Sequence, residues 1–191
     1  MKLIPVLLFG GMLAVSGWAE PYTPEPYSPE LVKKAEAGDA KAQLALGDSL
    51  YKGNGVRKDR TEAMKWVTKS AEQGNAEAQC SLGDSYYLGN GVKKDRTQAM
   101  KWITKSAEQG NAEAQCALGF ETTDPKKSIK WYTKSAEQGN GVAQRELGYC
   151  YVKGKGVTKD DKEAFKWFTK SAEQGDESAK KELEKLKSKT P

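Results

Sequence analysis

Trp66-Val67-Thr68-Lys69-Ser70-Ala71-Glu72-Gln73-Gly74 decides the fold, because it comes back three times. It returns as Trp102-Ile103-Thr104-Lys105-Ser106-Ala107-Glu108-Gln109-Gly110, again from Trp131 to Gly139, and again from Trp167 to Gly175. The closing glycines lie 36, 29 and 36 residues apart. A period in the thirties is the mark of stacked helix pairs, each burying the apolar face of its neighbour. The expected fold is all-α: a solenoid of antiparallel helix-pair repeats.

Working outward, each unit explains its own boundaries. Asn75 and Asn111 follow the glycine and suit a helix N-cap, and Ala78, Leu82 and Tyr86 recur every four residues on one face. Gly89-Asn90-Gly91-Val92 ends that helix in a turn whose glycines tolerate positive φ. Asp95 with Gln98 opens the second helix, as do Asp59 with Glu62 and Asp160 with Glu163, an Asp form of the capping box. In the third unit Asp124 keeps the cap and Pro125 takes the first helical position. Ala63, Ala99, Ser128 and Ala164 are small where two helices cross, and the tryptophan three residues later (Trp66, Trp102, Trp131, Trp167) is expected in the core.

The resulting map is a signal peptide over 1–19, a Pro-rich linker over 20–29 and an N-terminal capping helix over 30–38. Repeats follow over 39–74, 75–110, 111–139 and 140–175, and a capping helix with its tail over 176–191. The third repeat is shortened: Leu118 to Asp124 spans 6 residues where Leu82 to Asp95 spans 13. About two helical turns are missing, which leaves a short first helix with Glu121-Thr122-Thr123 as its connection, and a local notch.

Gln79, Leu82, Gly83, Tyr86, Gly89, Gly91, Val92, Asp95, Ala99, Trp102, Ala107 and Gly110 together resemble the Sel1-like repeat, a relative of the tetratricopeptide repeat. The resemblance covers residues 40–175. It implies a right-handed superhelix that scaffolds protein complexes, binds a protein or peptide and is not an enzyme. It further implies that first helices line a concave face. The positions on that face would be Leu44, Asp48 and Tyr51; Glu77, Cys80, Asp84 and Tyr87; Glu113, Cys116 and Phe120; and Val142, Arg145, Tyr149 and Val152. All are expected to be exposed and free for a partner, with the acids and Arg145 orienting a peptide by charge.

Composition narrows the chemistry. The 191 residues include no histidine, 37% are hydrophobic, 30% are charged, and the formal net charge is +5. Without imidazole there is no Ser-His or Cys-His nucleophile pair and no His-ligated metal; no cofactor, metal or nucleic-acid partner is expected. Met1-Lys2, the apolar run Leu3–Val15 and Ser16-Gly17-Trp18-Ala19 form a secretory signal cut after Ala19, so the chain is expected in the periplasm or outside the cell, with no membrane segment thereafter. Three cysteines are too few for a disulfide scaffold. Equivalent positions on neighbouring parallel helices lie about 9–10 Å apart, which disfavours a Cys80–Cys116 bridge and leaves Cys116–Cys150 open.

Two other readings compete. Ser49-Leu50-Tyr51-Lys52 and Ser178-Ala179-Lys180-Lys181 match the Ser-x-x-Lys spacing of penicillin-recognising enzymes, and cysteine-rich relatives of the repeat suggest β-lactam binding or hydrolysis. Those relatives carry a cysteine pair in each unit, where this chain has Ala71 and Gln79. The second reading takes Lys65 and Lys69, Lys101 and Lys105, Lys130 and Lys134, and Lys166 and Lys170 as one basic ridge for anionic envelope polymers.

Overall fold

The structure, a computed structural model, describes residues 26–188. The expected signal peptide and most of the expected Pro-rich linker lie outside the described residues. Among those residues there are ten α-helices and no strand: α1 (Pro29–Glu36), α2 (Ala40–Lys52), α3 (Arg60–Glu72), α4 (Ala76–Leu88), α5 (Arg96–Glu108), α6 (Ala112–Glu121), α7 (Pro125–Glu137), α8 (Gly141–Lys153), α9 (Asp161–Glu173) and α10 (Glu177–Lys187). The fold is the expected all-α solenoid of helix pairs. The chain divides between Gln115 and Cys116, within α6, into two compact units.

In the first unit the connection at Gly74 stops one helix and starts the next. Gly74, at φ +92°, donates its N–H to Ala71 O, and Asn75 N–H reaches back to Ser70 O at 3.2 Å. That closes α3 in a Schellman motif. The Asn75 side chain then accepts from Ala78 N at 2.9 Å and caps α4. Asp59 and Asp95 cap α3 and α5 in the same way, through Glu62 N and Gln98 N.

Buried amides tie successive helices together. Gln73 Nε2 donates to Gln43 Oε1 at 2.7 Å, and Gln43 Nε2 donates to Ala35 O, so one polar chain crosses the ends of α3, α2 and α1. Gln109, Gln79 and Ala71 repeat it in α5, α4 and α3. Ser70 and Ser106 each donate to the first carbonyl of the preceding helix, at Ala40 and Ala76. These contacts give the Ala-Gln and Ser-Ala-Glu-Gln-Gly segments their function: their buried amides and hydroxyls tie each helix to its neighbours.

Of the four tryptophans expected in the core, Trp102 is part of it and the other three are not. Trp102 is 9% exposed, but Trp66, and Trp131 and Trp167 in the second unit, are only half-buried. The residue after each tryptophan fills the helix crossing instead. Val67 and Ile103 lie against Gly47 and Gly83; a Cβ on Gly83 would come within 2.6 Å of Ile103 Cγ1 and 3.2 Å of Ala99 O. Each indole instead carries the lysine three residues on: Lys69 lies 4.0 Å from the Trp66 ring and Lys105 4.5 Å from the Trp102 ring.

The turn glycine Gly91, at φ +73°, sits over the start of α3, where a Cβ would overlap the Arg60 carbonyl oxygen and meet Met64 Cγ at 2.8 Å. Only glycine fits both the dihedral and the approach.

The second unit follows the same rules. Tyr132 and Phe168 lie against Gly119 and Gly148, Gln174 donates to Gln144, and Gln144 donates to Ala136 O. Gly156 repeats the close approach, onto the Pro125 carbonyl. The shortening falls where expected: α6 has 10 residues against 13 in α4, a three-residue connection follows, and Asp124 caps α7 with Pro125 in its first turn. After α9, α10 buries Ala179 and Leu186 against Ala164 and Phe168.

Candidate functional site

The positions that the resemblance places on the concave face fall into three groups. The first is core. Leu44 is 3% exposed and belongs to the cluster of Leu31, Leu46 and Leu50; Asp48, Cys80 and Cys116 are buried as well. The expectation that these four are exposed is therefore corrected. In the first three repeats the position two before the Leu of Leu-Gly faces into the helix stack, where leucine and cysteine occupy it; in the fourth it is Arg145. All three cysteines are free thiols.

The second group is half-buried and already engaged. Tyr51 packs on the first unit's core, with Arg60 5.3 Å and Lys58 5.9 Å from its ring. Lys94 lies 6.0 Å from Tyr87. In the second unit Phe120 meets Tyr132 edge-on at 5.3 Å, Tyr149 meets Phe168 at 5.2 Å, and Val142 and Val152 pack against core clusters. Arg145 does not point to an open face. Its Nη1 is 2.7 Å from Asp176 Oδ2 and its Nη2 is 3.1 Å from Glu146, while Asp176 Oδ1 caps α10 through Ser178 and Ala179 N–H. Asp176 thus holds α10 by its N-terminus and by the arginine together.

The third group carries an unusual electrostatic state. Glu77 opens α4, Asp84 lies further along it, and Glu113 opens α6, all in the first unit. Burial first, then the Glu113 charge, pushes Asp84 up to about 7. Burial and Glu77 raise Glu113. Burial, with the same three carboxylates around it, drives the Cys80 thiol well above its ordinary range. No ion pair engages Glu77, Asp84 or Glu113 among the described residues. The sequence shows the acids; the desolvation that makes Asp84 protonatable near neutrality has no sequence signal, since it depends on what packs around α4.

The lysine ridge is largely answered within the chain. Lys65 pairs with Glu62 at 2.8 Å and Lys166 with Glu163, while Lys69, Lys105, Lys134 and Lys170 lie over tryptophans. Of the two Ser-x-x-Lys serines, Ser49 is wholly buried in α2 and Ser178 is exposed in the first turn of α10.

Comparison with known proteins agrees with this architecture. Sel1 repeats match residues 40–75, 76–111, 112–140 and 141–176. The chain is 50% identical over 40 residues to the secretory immunoglobulin A-binding protein EsiB of Escherichia coli, a stretch covering 21% of this chain and 8% of that protein. A protective antigen of uropathogenic Escherichia coli with an SLR fold superposes with a TM-score of 0.74 at 38% identity, over 80% of this chain and 34% of the antigen. A Sel1 repeat protein from Oxalobacter formigenes gives 0.73 at 37% identity, over 80% and 64%. The chain therefore spans less than two thirds of each of these relatives. With Sel1 repeats matched over most of its length, it belongs to the Sel1 repeat family.

Proposed function

We propose that this chain is an exported interaction scaffold. It takes a segment of a protein partner on the face built by its first helices, and a basic side chain of that segment enters among Glu77, Asp84 and Glu113. Sel1 repeat proteins are generally protein–protein interaction scaffolds and typically non-catalytic. The carboxylate group of the first unit carries the finer reading. Three acids act on one another without a cation, in surroundings dry enough to hold Asp84 at about 7. A lysine or arginine brought by a partner relieves that repulsion, and Tyr87 beside them on α4 supplies a large contact surface with little entropy to lose. Export rests on the Met1–Ala19 pattern; among the described residues no helix is long and apolar enough to cross a membrane.

A photo-crosslinking residue at Tyr87, with one at Lys101 as the contrast, identifies the partner, whose affinity is then measured. Ionised Asp84 favours a cation, so affinity should rise from pH 6 to pH 8, and Asp84→Asn should remove that rise. Tyr87→Ala should weaken binding by about 1–2 kcal/mol. A partner held equally at Lys101, or undiminished by Asp84→Asn at pH 8, would move the site elsewhere. Export is read separately, from the N-terminus of the protein in the envelope fraction, expected at Glu20.

A further inference from the structure

We infer that the lysines converging on the N-terminal half of α7 form a docking surface for an anionic lipid bilayer. The four repeats provide their own comparison. At the position of Glu62, Gln98 and Glu163 the third repeat has Lys127, and at the position of Asn54 and Asn90 the fourth has Lys155. These two departures come from different repeats yet reach one place. The Gly154–Gly156 turn is laid over the start of α7, where a Cβ on Gly156 would overlap the Pro125 carbonyl oxygen and come within 3.2 Å of Lys126 N. Lys126, Lys127, Lys130, Lys153 and Lys155 are all exposed in this region of the second unit.

The arrangement lacks the local compensation seen in the first and fourth repeats. Lys65 and Lys166 each pair with an acid three residues earlier. Lys130, their equivalent, has Lys127 there and no ion pair among the described residues. Lys126 and Lys127 also lie in the first turn of α7, where the helix dipole disfavours cations. The acid of that turn, Asp124, caps α7 through Lys126 N–H, which leaves the five lysines in excess and open to counter-charge from outside. The patch is built from lysines alone, point charges on long stems rather than the planar fork that grips a single carboxylate or phosphate. They stand on an exposed helix and turn surface. Half-buried Trp131 lies beside them on α7, an amphipathic ring of the kind found at headgroup depth. Diffuse attraction to a plane of anionic headgroups suits that geometry. This surface is distinct from the first-helix face and stands whether or not a peptide binds there.

The test uses the full chain and vesicles. It should bind vesicles of mixed phosphatidylglycerol and phosphatidylcholine, ignore pure phosphatidylcholine, and release as salt shortens the screening length. Lys127→Glu with Lys155→Asn restores the sibling residues, so the fold is expected intact by circular dichroism. Its partition should fall about 100-fold, from about 1 kcal/mol per lysine charge at the surface and tenfold per 1.4 kcal/mol. Lys101→Glu with Lys93→Asn makes the same net charge change in the first unit and should cost far less. Equal losses in the two variants overturn the proposal, as does failure to bind the anionic vesicles. So does binding to soluble polyphosphate with none to vesicles, which would assign the patch to dissolved polyanions.

Discussion

Asp84 shows how a single side chain can be held against its own solvation. Its folded pKa of about 7 lies above the ordinary carboxyl value of about 3.9, so the folded state binds the proton more tightly than the unfolded one. Stability from this group is therefore present at low pH, falls as pH rises between about 4 and 7, and is fully lost above. Asp84→Asn keeps the shape and removes the charge. It should stabilise the protein at pH 8 by roughly 1–3 kcal/mol, discounted for partial solvent access, and change little at pH 4. Urea midpoints at the two pH values decide it, and an Asn variant that is weaker at pH 8 would show that Asp84 has an unrecognised counter-charge. Arg145 is the opposite case: two carboxylates hold it, its charge is spent within the fold, and it is left out of the proposed binding site.

At the scale of helices, the contact that sets the pair spacing is glycine against the residue after tryptophan. Gly83→Ala would drive a Cβ into Ile103 Cγ1 at 2.6 Å and toward the Ala99 and Ile103 backbone at 3.2 Å. The side-chain clash can relax and the backbone contacts cannot, so a loss of about 1–3 kcal/mol is expected. Beside Ile103→Ala, which removes the clashing Cγ1, Gly83→Ala should cost less than it does beside Ile103, and a double-mutant cycle in denaturant measures that coupling. Strict additivity would mean the two residues do not meet. Much of this level was legible in the sequence. The repeat period, the Asn and Asp caps and the shortened α6 all follow from local residue chemistry, which acts within a few positions. Trp102 is buried as its size suggests, but Trp66 is not, because the crossing angle decides which of two adjacent residues points inward; Val67 and Ile103 do, and Trp66 stays at the edge under Lys69. Leu44 and Cys80 were misjudged for a related reason: a single helix does not reveal how closely the neighbouring repeat covers its inner face. The acidic group was legible as charge but not as a desolvated cluster, because its members come from α4 and α6, about thirty residues apart.

At the scale of the molecule, a stack of helix pairs has no single centre, and its stability is close to a sum of unit and nearest-neighbour contributions. On the last repeat α10 lays Ala179, Leu183 and Leu186 over Phe168 and Tyr149, fixed by the Asp176–Arg145 pair. Removing residues 176–191 uncovers Phe168, now fully buried, and leaves Arg145 with Glu146 alone. Burying one such aromatic is worth about 1.5–3 kcal/mol, so several kcal/mol should be lost at this end. Because coupling in a solenoid decays unit by unit, the loss should not spread evenly. Amide hydrogen exchange should rise most in α9, which loses its direct cover, and less in α8, which keeps its contact with the remainder of its own pair. Arg145→Gln, which breaks the pin without removing the helix, should give a smaller version of the same graded pattern. A uniform rise across every helix in the truncated chain would instead mean that the array unfolds as one cooperative block, with α10 acting on the whole rather than on its neighbours.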